Sequence, residues 1–432
     1  MSPSLPKPIS RWGYPIGLAL AFLATFGAWY DPASFARVNA WHVGLWQSCD
    51  IPLPSLKLLS FGFAALLVIV LGVLSWRRED NRAMFTMSSI LVFLAISCYI
   101  QFSVTRSSWL EYAIEGATDF QNTMYFANQL NAPLSFDNLP DNGITFKEEG
   151  ILDRLLAGIY CLSYGWMLFF FASLGAHFSA WRGFAEYQGT RKPLLRLGWI
   201  FALLLLLQVA FPFVAQFEVA AGDHAAAQEK PKVAESYYRR AIANDEWYRL
   251  QPTLFLKIGQ LRQSLGDDSS PTARLYLAQE NAANGFYERA MDYLQSTDVS
   301  QDPSISHVLR TEIAQLATIQ GEAFYQQAQF GAALHEWTLA YQAKPKQVAI
   351  YYMLGQVSFD LANYPEARQW YVLGKHQSGI SVSQAVFLAG MADTYYHNGA
   401  PGTARAYYLK SFNVYYENNF RSIKSLVDDY FR

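Results

Sequence analysis

The chain is short of cysteine, of net charge and of clustered histidine, and each shortage removes a class of function. Cysteine occurs three times in 432 residues, as Cys49, Cys98 and Cys161, and never as a CxxC pair. That excludes a cysteine-rich zinc site and a dense disulfide framework. A formal net charge of −2 supplies no bulk field for nucleic acid, so no nucleic-acid partner is expected. The seven histidines are scattered, with no HExxH or other metal-ligand spacing. GxSxG, GxxxxGK[ST] and GxGxxG are absent as well. With no catalytic constellation, the expectation is a non-enzymatic protein without metal or cofactor.

Apolar residues are concentrated in the first half. Five segments are apolar enough to span a bilayer core, which takes roughly 20 helical residues: 13–30, 58–76, 84–104, 155–179 and 197–215. Asp153 and Arg154, at the start of the fourth, must lie at the interface or pair with each other. Lys and Arg in the short loops set the orientation. Lys7 and Arg11, then Arg77, Arg78 and Arg82, then Arg182, Arg191, Lys192 and Arg196 fall on one side. The alternate loops, 31–56 and 105–150, hold only Arg37, Arg106 and Lys147, and the second is acidic. The N-terminus is therefore expected in the cytoplasm and everything after residue 216 outside it, which in a Gram-negative cell is the periplasm of an inner-membrane, multi-pass protein. No Asp, Glu, Lys or Arg lies mid-span, where Gln208, His177 and serines are the main polar groups, which argues against ion-coupled transport.

The first outer loop reads "AWHVGLWQSCD", residues 40–50. Its W…GLW…C order resembles the signature in the first extracellular loop of the claudin-like four-span family. The loop here is shorter, and the second loop cysteine that would pair with Cys49 is missing. The alternative is an interfacial belt anchored by Trp41 and Trp46.

From residue 217 the pattern is helical and repetitive. "GEAFYQQAQFGAALHEWTLAYQAKP" aligns with "GQVSFDLANYPEARQWYVLGK" at a period of 34 residues. Gly321 then matches Gly355, Ala333 matches Ala367, Trp337 matches Tyr371 and Ala340 matches Gly374. This resembles the tetratricopeptide repeat, two antiparallel helices A and B packed through small and aromatic positions. Those eight residues are the expected packing positions, with Ala367 and Gly374 marking where helix A presses on helix B. Weaker copies carry Ala234, Tyr238 and Ala241; Ala278, Gly285, Tyr287 and Ala290; and Ala392, Ala404 and Tyr408. "FRSIKSLVDDYFR" reads as an end cap, since stacked repeats need a polar terminus.

The expected fold is thus all-α: a multi-span membrane bundle over 1–216 and a repeat solenoid over 217–432. The alanine-rich, proline-free stretch after Pro212 predicts that the fifth span continues as helix A of the first repeat. The resemblance implies a protein or peptide partner held on the concave face. Helix A positions pointing away from helix B are Gln315, Glu322, Tyr325, Tyr352, Gln356, Phe359, Asp393 and Tyr396, an aromatic and amide surface poor in Lys and Arg. Two functions compete. One is a membrane-anchored assembly scaffold with other membrane subunits and the bilayer as further partners. The other is an auxiliary or translocation subunit whose bundle is active and whose repeats are a dock.

Overall fold

The computed structural model describes residues 7–30, 38–41, 60–105, 123, 125, 127, 151–160, 162–185, 191–378 and 381–416. The chain divides into two compact units. The first takes Met1–Ala113, Phe146–Phe217 and the short stretch Asn244–Glu246. The second takes Ile114–Thr145, Glu218–Ala243 and Trp247–Arg432.

The first unit contains α1 (Lys7–Ala24), α2 (Phe61–Arg77), α3 (Asn81–Ile100), α4 (Ile151–Tyr160), α5 (Tyr164–Ala185) and the start of α6 (Arg191–Ala227). Helix α5 packs on α1 and α3, and α3 packs on α2. The turn between α2 and α3 is compact because Asp80 caps α3, its carboxylate accepting from the backbone N–H groups of Arg82 and Ala83. Ser60 caps α2 in the same way through Phe63 N–H.

Two expectations about this unit are corrected. The apolar run 13–30 is not one helix. Helix α1 stops at Ala24, and β1 (Ala28–Tyr30) pairs antiparallel with β2 (Val38–Asn39), a short two-stranded ribbon in a fold that is otherwise all-α as expected. The run 155–179 is also divided, between α4 and α5. Its break lies where β1 crosses: Ser163 N–H donates to Trp29 O at 3.1 Å. A Cβ on Gly165 would stand 2.5 Å from Ala28 O, so only glycine fits there. As a result two helical stretches among the described residues are long and apolar enough to cross a membrane, Asn81–Val104 and Gly198–Ala227. Trp12–Ala24 and Phe61–Arg77 are apolar but shorter. Arg154 does not pair with Asp153. It forms a bidentate ion pair with Asp245, at 2.7 and 3.0 Å, and both side chains are buried.

Helix α6 runs unbroken through Pro212 to Ala227, as its leucine- and alanine-rich sequence predicts. The second unit follows with α7 (Pro231–Asn244), α8 (Glu246–Leu250), α9 (Thr253–Ser264), α10 (Pro271–Ala283), α11 (Tyr287–Gln295), α12 (Ser306–Gln326), α13 (Phe330–Ala343), α14 (Val348–Asp360), α15 (Tyr364–Gln377), α16 (Ser381–His397) and α17 (Pro401–Tyr416). From α9 onward each helix packs against the next. The expected end cap at the C-terminus lies outside the described residues, as do Trp46, Cys49 and Cys161.

The turns inside the hairpins share one device. Glu229, Gly285, Ala328, Ala362 and Gly399 all have φ between 55° and 80°. In each case the next residue's N–H reaches back to the last turn of the preceding helix: Gln329 to Phe324 O, Asn363 to Ser358 O, Ala400 to Tyr395 O. This left-handed closure satisfies orphan carbonyls and reverses the chain over two or three residues.

Candidate functional site

The eight repeat positions of the two aligned copies are all buried in the second unit, whereas Gly285 and Tyr287 of a weaker copy are exposed. Ala333, Trp337, Ala340, Ala367 and Tyr371 lie in the core, and Gly321, Gly355 and Gly374 are buried within their helices. Glycine is required where an aromatic ring of helix B meets helix A. A Cβ on Gly321 would stand 2.4 Å from the Trp337 indole, and one on Gly355 would stand 2.4 Å from the Tyr371 ring. Gly374 differs from its expected role. The ring that approaches it is Phe387 of α16, so it mediates contact with the following repeat rather than within its own hairpin.

A polar bond accompanies this packing and was not anticipated. In three hairpins the helix B tyrosine donates its hydroxyl to the residue fifteen positions earlier on helix A. Tyr238 donates to Asp223 at 2.6 Å, Tyr371 donates to Gln356 Oε1 at 3.1 Å, and Tyr408 donates to Asp393. The geometry follows from the ring lying flat over the small residue: its hydroxyl then overshoots to the next side chain along. The signal was present in the sequence as an Asp or Gln fifteen residues before a repeat tyrosine. The α12–α13 hairpin breaks the pattern. Trp337 stands in place of tyrosine, and its single N–H donates to Thr318 O at 3.3 Å.

The eight helix A positions separate into distinct environments. Gln315 and Tyr396 are exposed. Glu322, Tyr325, Gln356, Phe359 and Asp393 are half-buried. Tyr352 is only 2% exposed, with rings of Tyr371 and Phe387 at 5.8 and 6.0 Å, so it is a core ring and not a surface one. That corrects its assignment as a contact residue, and its removal would leave a cavity. Asp360, not singled out from sequence, belongs with this face: it accepts from the Tyr325 hydroxyl and from Gln356 Nε2. Phe359, Tyr364 and His397 form a ring cluster beside it, with centroids 5.1 to 6.2 Å apart.

Electrostatically the face is poised rather than charged. Burial pushes Asp393 up to about 6, against the lowering effect of the Tyr408 hydroxyl. Burial also raises Asp360, despite hydrogen bonds from Tyr325 and Gln356. The Tyr325 hydroxyl is held well above its ordinary range by burial and by Asp360. The arrangement offers carbonyl and carboxylate acceptors between aromatic rings, which suits hydrogen-bond donors on a polypeptide. Among the described residues no group of His, Cys, Asp and Glu is arranged to hold a metal ion.

In the first unit, Phe85, His177, Phe178, Trp181 and Trp199 line a cavity of about 620 Å³. His177 Nδ1 lies 3.3 Å from Ser89 Oγ. The Ser89 hydroxyl also donates to Phe85 O at 2.8 Å.

No family model matches the chain, and no curated protein matches it. Among solved structures it is similar to MamA 41-end from Desulfovibrio magneticus RS-1, at 14% identity and a TM-score of 0.24, covering 48% of this chain and 97% of that one. It is also similar to the TPR2AB domain of yeast Sti1 in a complex with pHSP90, at 13% identity and a TM-score of 0.24, covering 50% and 96%. A third is pilF of Pseudomonas aeruginosa, at 14% identity and a TM-score of 0.25, covering 51% and 86%. The claudin-like resemblance of the first outer loop has no support in these comparisons.

Proposed function

We propose that the chain is a non-enzymatic, membrane-anchored scaffold. Its tetratricopeptide-type array binds a protein or peptide partner on the face built by the first helix of each pair. The observation that carries this reading is the 34-residue register itself. Gly321 faces the Trp337 ring in one hairpin as Gly355 faces the Tyr371 ring in the next, while helix A also carries half-buried polar and aromatic side chains on its other face. Repeats of this kind stabilise one another by stacking and leave an extended surface for recognition.

Anchoring is supported by the apolar surface of α6, where Trp199 is 75% and Phe211 is 65% exposed. Surface of that kind is costly in water and neutral in hydrocarbon. The Lys and Arg asymmetry of the short loops favours a cytoplasmic N-terminus and an extracytoplasmic array, the periplasm in a Gram-negative inner membrane. An envelope complex containing other membrane subunits is the setting that fits both halves. The aromatic cavity around His177 favours a second reading, in which the first unit acts on a membrane component and the array is its dock.

Purification in mild detergent tests the choice. The scaffold reading expects a polypeptide to travel with the chain and to be lost on Gln315→Ala with Tyr396→Ala. Retention of that polypeptide after those changes, and its loss on Trp181→Ala with Trp199→Ala, would favour the second reading.

A further inference from the structure

The cavity of about 620 Å³ in the first unit lies where α5 and α6 meet the start of α3, and its size suits one small ligand or one lipid chain. Phe85 is a buried wall, whereas Phe178, Trp181 and Trp199 are exposed, so the cavity opens outward. Gly198 leaves its rim unfilled, since a Cβ there would meet nothing within 4 Å. His177 is its polar group. Nδ1 lies 3.3 Å from Ser89 Oγ and 3.5 Å from Ser88 Oγ, and Nε2 has no hydrogen-bond partner among the described residues. Arginine recurs at one end of these walls. Arg82 stands three positions before Phe85 on α3, Arg182 four after Phe178 on α5, and Arg196 three before Trp199 on α6. Residues three or four apart share a helix face, so each helix carries a cation between its wall residue and its terminus. Residues 77–82 and 182–196 together hold seven Lys and Arg against three acidic residues, of which Asp80 is engaged in capping α3.

We propose that this cavity binds one anionic glycerophospholipid, with an acyl chain among Phe85, Phe178 and Trp199, glycerol oxygens at His177 and the phosphate toward the arginine end. The proposal rests on the membrane-anchored reading of the first unit and names the membrane component that this unit holds. Depth selects the occupant. Phe85 lies only about 6 Å into α3, at 1.5 Å per residue, and Trp181 and Trp199 are the ring type that concentrates at headgroup level. His177 is one turn deeper than Trp181, where a phospholipid carries its ester groups. A purely apolar groove would take any chain without preference, and a purely basic one would take a soluble anion. Rings, an unspent imidazole nitrogen and flanking cations in one place call for a ligand with all three complements. Basic pockets between spanning helices on the cytoplasmic side, where the Lys and Arg asymmetry puts this end, favour anionic headgroups.

The test is native mass spectrometry of the full chain in mild detergent, with phosphatidylglycerol and phosphatidylcholine added at equal concentration. The unaltered chain is expected to retain one phosphatidylglycerol, preferred by about tenfold. Gly198→Trp fills the cavity without a clash at Cβ and should abolish that preference. Gly175→Trp, equally free at Cβ and outside the cavity, should leave it intact. Arg182→Gln with Arg196→Gln should keep a bound lipid but equalise the two headgroups. Glycerol phosphate, the headgroup without chains, should displace nothing. Unchanged preference in Gly198→Trp or in the arginine variant, equal loss in both tryptophan variants, or displacement by glycerol phosphate would each overturn the proposal. Alkaline carbonate washing of membranes reads the anchoring separately. A chain that stays in the washed membrane yet holds both lipids equally leaves anchoring standing and removes this proposal, whereas a chain that is washed out removes both.

Discussion

Replacing Gly355 by alanine should destabilise the α14–α15 hairpin, whereas the same replacement at Gly331 should stabilise α13. The added Cβ at 355 would lie 2.4 Å from Tyr371 Cε1 and 2.6 Å from Cδ1. The ring has nowhere to retreat. Gly390 approaches it from α16, where a Cβ would stand 2.7 Å from Cζ, and the rings of Tyr352 and Phe387 lie at 5.8 and 6.5 Å. Overpacking of this kind costs about 1–3 kcal/mol. Alanine's helix propensity returns up to about 1 kcal/mol. With the full propensity gain the net loss is therefore about 0–2 kcal/mol, up to roughly thirtyfold in the opening equilibrium. At Gly331 nothing lies within 4 Å of the added atom, so only the propensity gain remains. Native-state hydrogen exchange of the full chain, followed on α12 to α15, reads both. Shifts of the same sign in the two variants, or slower exchange in Gly355→Ala, would refute the packing register.

Asp393 supplies a pH test. Its folded value is raised to about 6 from an ordinary 3.8, so the folded protein binds the proton more tightly than the unfolded chain does. Stability of the α16–α17 pair should then fall as pH rises from about 4 to about 6 and stay level above, and Asp393→Asn should flatten that slope in exchange measurements corrected for intrinsic rate. Asp245→Asn removes the carboxylate charge that the buried Arg154 guanidinium binds at two points and should cost about 3–5 kcal/mol, read as a lower melting temperature. A change within the noise would mean the pair is not buried in solution. Ala328→Gly and Ala362→Gly should each raise stability by about 1 kcal/mol, because both alanines hold a left-handed φ. Loss of stability in either would contradict the turn geometry.

The repeat half was legible because its signals are local and periodic. Gly321, Trp337, Gly355 and Tyr371 recur at one period, and a small residue facing a ring is the same statement in sequence and in space. Tyr352 was misread because helix spacing places it on the outer face of α14, whereas Phe387 of the next repeat closes over it. That closure depends on the stacking of repeats, which single-helix periodicity does not contain. Gly374 was misassigned for the same reason. In the first half, hydropathy alone could not show that β1 crosses the fourth apolar run at Gly165, since the strand pairing joins residues on either side of a turn. The partner of Arg154 lies 91 positions away, beyond the reach of any local rule.

The claim at the centre of this account is that the helix A face of the array receives a polypeptide partner. Site-specific photo-crosslinkers at Gln315 and Tyr396, two exposed helix A positions, and at Gln369 and His376, two exposed positions of helix α15, test it in native membranes. The account predicts a discrete polypeptide adduct from Gln315 and Tyr396 that is absent from Gln369 and His376. Adducts from the α15 positions alone, or lipid adducts alone from all four, would contradict it.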